Sequence, residues 1–167
     1  MAEMDSSLEI LASDSSASRL EKMQDLMNRL GLTNIKTEVI DLAAEPQASA
    51  TSPQHSSKFD RILLDVPCSN MGVIARRPES VYRMTPESIN EVAELQFKIL
   101  ENASAALAPG GRLVYATCSP DPTETTRVIA RFVKAHPEFV KVGEPVLPGL
   151  KDSRLDGFFA QALEYKK

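Results

Sequence analysis

Three aspartates and two cysteines stand at positions from which an α/β chain does chemistry. Asp14, Asp41 and Asp65 each close a short apolar run, Cys118 closes a fourth, and Cys68 follows Asp65 by three residues. The runs are Leu8 to Ser13, Ile35 to Ile40, Arg61 to Leu64 and Leu113 to Thr117. Each reads as a strand. Ligands of open parallel sheets bind outside the carboxyl ends of the strands, so four reactive groups fall on one edge. One aspartate at such a place is more often a cap or a turn residue, whereas four positions in succession favour a site. The cysteines have two readings. Buried in apolar surroundings they are inert, but as thiolates they are nucleophiles and require polar, electropositive surroundings. One disulfide also remains open, and two free thiols in a reducing compartment is the simplest state. Two cysteines and two histidines without Cys-x-x-Cys give no structural zinc pattern, and no metal is expected.

The elements that position these groups alternate. A helix capped by Ser15 or Ser16 carries Leu20, Met23, Met27 and Leu30 on one face and stops at Gly31. Thr85-Pro86-Glu87 opens a second helix, with Thr as cap, Pro at the first helical position and an acid in the first turn. Ile89, Val92, Ile99, Leu100, Ala103 and Leu107 continue it, and Pro109-Gly110-Gly111 ends it. Val128, Ile129, Phe132 and Val133 mark a third helix, stopped before His136-Pro137; Phe139 to Val142 and Gly157 to Leu163 are further strands. Residues Ala43 to Lys58 are rich in Ala, Ser, Pro and Gln and read as a long loop. The alternation predicts an α/β fold with a mostly parallel sheet.

The length of 167 residues suits one domain. Net charge is -4, so nucleic acid would have to be met by a local basic patch. No apolar run reaches membrane-spanning length and no secretory leader is evident, so a cytoplasmic location without membrane partners is the expectation.

The segment Phe59 to Ser69, an apolar strand ending Asp65-Val66-Pro67-Cys68-Ser69, resembles the signature of the Sun/Fmu-type RNA (cytosine-5) methyltransferases. Thr117-Cys118-Ser119 resembles the second family motif. The likeness continues through Gly72 to Glu79, Asp156-Gly157-Phe158-Phe159, and Ala12-Ser13-Asp14 with Arg19-Leu20. It implies a partial methyltransferase catalytic domain over 1–167, with the loop 43–58 inside it. The implied fold is the Rossmann-like class I sheet of S-adenosylmethionine-dependent enzymes.

The resemblance also implies roles. Cys118 is the nucleophile toward carbon 6 of cytosine and Cys68 assists product release. Asp65 contacts the target base or the methyl donor. Asp14 accepts hydrogen bonds from the ribose hydroxyls of S-adenosylmethionine and Asp41 approaches its adenine. Arg76, Arg77 and Arg83 have a bland reading as a solvated loop and a functional one as contacts to RNA phosphates. The implied partner is RNA, ribosomal RNA first, and the implied product 5-methylcytosine. The alternative is a catalytically inactive fragment that retains the fold as an RNA- or protein-interaction module.

Three departures accompany the likeness. The family's Ala-Pro-Gly-Gly-Lys cofactor loop and the first strand before it have no counterpart here. Weak cofactor binding is therefore expected, as is marginal stability with self-association or a complementing N-terminal segment. Asn70 stands where the family usually has Gly. Glu124-Thr125-Thr126 replaces a run in which Asn usually lies between two acids.

Overall fold

Strands end where the reactive side chains begin. The computed structural model describes residues 2–3, 5–44, 58–148 and 155–166, in two units, Met1–Ala50 and Thr51–Lys167. The loop expected over 43–58 lies, for 45–57, outside the described residues.

In the first unit, β1 (Ile10–Asp14) pairs in parallel with β2 (Ile35–Val39), Asp14 opposite Val39. The crossover is α1 (Ala17–Leu30), which buries Leu20 and Met27. Ser16 is its N-cap residue, and Gly31 ends it at φ 67 in the left-handed region that glycine enters without steric cost.

The second unit holds a four-stranded sheet in the order β3-β4-β6-β5. β3 (Phe59–Asp65) lies parallel to β4 (Leu107–Thr117), with Asp65 opposite Ala116. β6 (Phe159–Tyr165) is antiparallel to both β4 and β5 (Phe139–Val146). The expectation of a mostly parallel sheet therefore fails at this end. Parallel neighbours need a crossover, usually a helix, whereas antiparallel neighbours such as β5 and β6 do not.

Helix α2 (Pro86–Ser104) starts with a capping box: Ser88 N donates to Thr85 Oγ1 at 3.2 Å and Thr85 N to Ser88 Oγ at 2.9 Å. It ends earlier than its apolar spacing suggested. Leu107 opens β4 opposite Phe59, and Pro109-Gly110-Gly111 forms an irregular stretch inside that strand rather than a helix stop. A Cβ on Gly111 would lie 2.8 Å from Ala108 O and 3.0 Å from Asp60 O, so the close strand approach requires glycine. Helix α3 (Thr126–Ala135) buries Val128, Ile129 and Phe132. Leu100, Leu107, Leu113, Phe132 and Leu163 are fully buried, each contributing about 1.5–3 kcal/mol over an exposed position. Arg131 lies 3.9 Å over the Phe97 ring and pairs with Glu94, joining α3 to α2. No helix among the described residues is long and apolar enough to cross a membrane.

Candidate active site

The parallel register of β3 and β4 sets the two cysteine motifs side by side. Val66 N donates to Ala116 O at 3.0 Å one step past Asp65, so both chains leave the sheet together. Val66 is buried and Gln96 of α2 donates its amide to Pro67 O at 2.8 Å, which fixes the turn into Cys68. Cys68 and Cys118 are free thiols, each half-buried. Both reach one acceptor: Asn70 Oδ1 is 3.4 Å from Cys118 Sγ and 4.0 Å from Cys68 Sγ.

A buried carboxylate fastens the two motifs from behind. Glu124 is fully buried. Its Oε1 accepts from Ser119 Oγ at 2.7 Å and from Ser69 Oγ at 2.5 Å. Its Oε2 accepts from Ser69 N at 2.8 Å and from Gln96 Nε2 at 3.3 Å. The serine that follows each cysteine thus donates to one carboxylate, as a buried polar group requires. Tyr115 donates its hydroxyl to Glu124 O at 2.7 Å. Burial first, then the charges of Glu124 and Cys68, push that phenol above its ordinary range.

Asp156-Gly157-Phe158-Phe159 completes the wall. Gly72 N donates to Cys118 O at 2.9 Å, and Gly157 N donates to Gly72 O at 2.7 Å. A Cβ on Gly72 would fall 1.9 Å from Gly157 O and 2.5 Å from Cys118 O, so only glycine fits. Asp156 pairs with Arg76 at 3.2 Å, and Phe159 is buried edge-on against Tyr115. A cleft of about 340 Å³ opens beside the cysteine loop, lined among others by Cys68, Ser69, Asn70, Arg77 and Arg83. Two of the three sequence-chosen arginines thus face the cleft, while Arg76 braces the loop. Tyr82, which the sequence did not single out, is 91% exposed next to Arg83.

The surroundings of Cys118 differ from the electropositive pocket expected of a thiolate. Burial first, then the hydrogen bond and charge of Cys68, push its thiol up to about 12. Its own backbone opposes this and Asp65 adds to it. The thiol therefore rests protonated. Glu124 and Asn70 were visible in the sequence only as departures beside the two motifs, and their contacts cross 48 and 55 residues of chain.

Asp14 and Asp41 belong to the first unit. Asp14 Oδ1 accepts from Ser16 N at 2.7 Å and pairs with Arg19 at 3.0 Å. Asp41 Oδ1 accepts from Ala43 N at 2.9 Å. Both are turn residues at strand ends, the bland role weighed for each alone. Both contacts of Asp14 fall on Oδ1, which suits its second oxygen to accepting from a ribose diol.

The family model for 16S rRNA methyltransferase RsmB/F matches residues 1–162. This chain belongs to the RsmB/F methyltransferase family. Among curated relatives, it is 42% identical over 133 residues to ribosomal RNA small subunit methyltransferase B of Shewanella oneidensis, covering 80% of this chain and 30% of that protein. To the protein of the same name in Enterobacter sp. it is 38% identical, covering 90% of this chain and 35% of that protein. The chain therefore spans about a third of the length of these relatives. Among solved structures, NSun6 from Pyrococcus horikoshii with SFG shares 28% identity at a TM-score of 0.74, covering 95% of this chain and 42% of that one. The N-methyltransferase NodS from Bradyrhizobium japonicum, 14% identical at a TM-score of 0.57, shares the fold alone. The RsmB/F family and its Rossmann-like methyltransferase fold agree with the two cysteine motifs read from the sequence.

Proposed function

We propose that this chain carries the catalytic part of an S-adenosylmethionine-dependent RNA (cytosine-5) methyltransferase acting on ribosomal RNA through a covalent cysteine adduct. The observation that carries the reading is the meeting of Cys118 and Cys68 at one Asn70 acceptor, beyond the adjacent ends of β3 and β4. Family membership and the relatives' names support the substrate class.

Carbon 5 of cytosine is a poor nucleophile. The Cys118 sulfur, once its proton is lost, adds to carbon 6, and the electron pair of the ring double bond makes carbon 5 an enamine carbon. Asp65, a carboxyl at the end of β3, suits the ring N3 and exocyclic amine, where it holds or supplies a proton as charge builds. S-adenosylmethionine, when bound, supplies the methyl group, with Asp14, Asp41 and Asp65 as the carboxylates suited to hold it. Cys68 lies beside Cys118 and serves the last step, in which the carbon 5 proton leaves and the sulfur–carbon 6 bond breaks. Arg77 and Arg83 in the cleft suit RNA phosphates, and the exposed ring of Tyr82 suits a stacked base. The target base must leave its stack to reach the sulfur. The chain self-associates and works in the cytoplasm.

The test is covalent trapping. The chain is incubated with S-adenosylmethionine and RNA containing 5-azacytidine, and the adduct is read on a denaturing gel. Adduct is expected with the parent chain and with Cys68→Ala, and none with Cys118→Ala. With ordinary cytosine RNA, Cys68→Ala is expected to accumulate adduct, because release is what it lacks. An adduct lost only in Cys68→Ala overturns the nucleophile assignment. No adduct in any form, with RNA still bound, favours the non-catalytic interaction module instead.

A further inference from the structure

Among the described residues, Asn70 is the one non-glycine residue at positive φ, 64° with ψ 22°. Glycine takes such a position without steric cost, and asparagine is among the few side chains that visit it routinely. The backbone therefore does not ask for a side chain here, and what the side chain touches must account for it. Its carbonyl oxygen faces the sulfurs of both cysteines, at 3.4 Å and 4.0 Å.

A thiol is a weak donor and an amide oxygen an acceptor. An oxygen lone pair aimed at sulfur favours S–H and disfavours the thiolate. The amide is not a base, so it holds the proton on sulfur without removing it. Cys68 and Asp65 face Cys118 and act in the same sense. Glu124 stands behind Ser119, Tyr115 lies at the end of β4, and Arg77 and Arg83 line the cleft with Cys68. Asn70 does not titrate, and its amide carries acceptor and donor on separate atoms. Half a turn of its amide exchanges the oxygen for an N–H donor, which favours a thiolate.

We propose that Asn70 is a positioning residue whose side-chain carbonyl holds Cys118, with Cys68 beside it, as a neutral thiol until the target base arrives. Its catalytic meaning rests on Cys118 being the nucleophile, but the holding itself does not. Attack requires the amide to turn or move aside, so the nucleophile is quiet in the free protein.

The experiment uses the chain alone, without RNA or cofactor. Alkylation of Cys118 by iodoacetamide is followed by peptide mass spectrometry, separately from Cys68, across a pH series. Asn70→Gly keeps the backbone position and is expected to lower the pH midpoint for Cys118 by about one unit, roughly tenfold more thiolate at a given alkaline pH. Wider access alone would raise the limiting rate and leave the midpoint in place. Asn70→Asp is expected to slow alkylation at about pH 9, because it places a second carboxylate at the sulfur. A midpoint unchanged or raised in Asn70→Gly overturns the proposal. If that variant fails to fold, faster or unaltered alkylation in Asn70→Asp overturns it. The covalent-adduct experiment fails separately: its failure removes the catalytic reading and leaves this result standing.

Discussion

At the scale of single residues, the protonation of Cys118 has a consequence for the whole protein's stability. Its thiol titrates at about 12 in the folded chain against an ordinary 9.0, because burial, Cys68 and Asp65 disfavour the thiolate. Between these values the folded chain holds a proton that the unfolded chain has released. Stability from this group is therefore complete below the unfolded value and declines as pH rises from 9 toward 12. Cys118→Ser keeps the shape of the side chain and does not titrate in that window. The urea midpoint of the parent is expected to fall more between about pH 8 and pH 11 than that of Cys118→Ser. Tyr115 declines in the same direction in both proteins and cancels in the comparison. Equal slopes would show that Cys118 titrates near its ordinary value.

At the scale of elements, Glu124 fastens the loop after β3 to the loop after β4. Glu124→Ala leaves Ser69 N, both serine hydroxyls and one Gln96 donor without that acceptor. The expected cost is about 3 kcal/mol or more by urea unfolding, since each unmet buried donor costs about 1–3 kcal/mol. Glu124→Gln is expected to lose less, because a serine hydroxyl can turn to accept from the new amide. A loss under about 1 kcal/mol in Glu124→Ala would show that the serines find other partners. The start of α2 and the end of α1 were legible because caps are local: Thr85-Pro86 opens α2 and Gly31 ends α1. The end of α2 was not, because Leu107 continues the helical spacing while its backbone pairs with Phe59. Periodicity cannot tell a buried helical residue from the first residue of a buried strand.

At the scale of the molecule, β3 stands at the end of its sheet among the described residues and Leu63 on it is 65% exposed. An apolar residue on an open strand edge invites pairing with further chain. Under the proposed self-association, sedimentation velocity is expected to show species larger than one chain. Leu63→Lys is expected to shift the distribution toward the single chain. A parent that sediments as one chain at every concentration would remove self-association from the reading.

The sequence by itself determined which residues are candidates for the chemistry and that they stand at or just beyond strand ends. Two short motifs and the apolar runs before them suffice, because strand ends are marked locally by a break in the apolar pattern. Tertiary structure decided what surrounds those groups. It set the parallel register that brings Cys68 and Cys118 to one acceptor, and the buried Glu124 that ties both loops. It gave Arg76 to Asp156 while Arg77 and Arg83 face the cleft. These contacts join residues far apart along the chain. A thiol's proton affinity depends on burial and neighbouring charge in space, which no local spacing encodes.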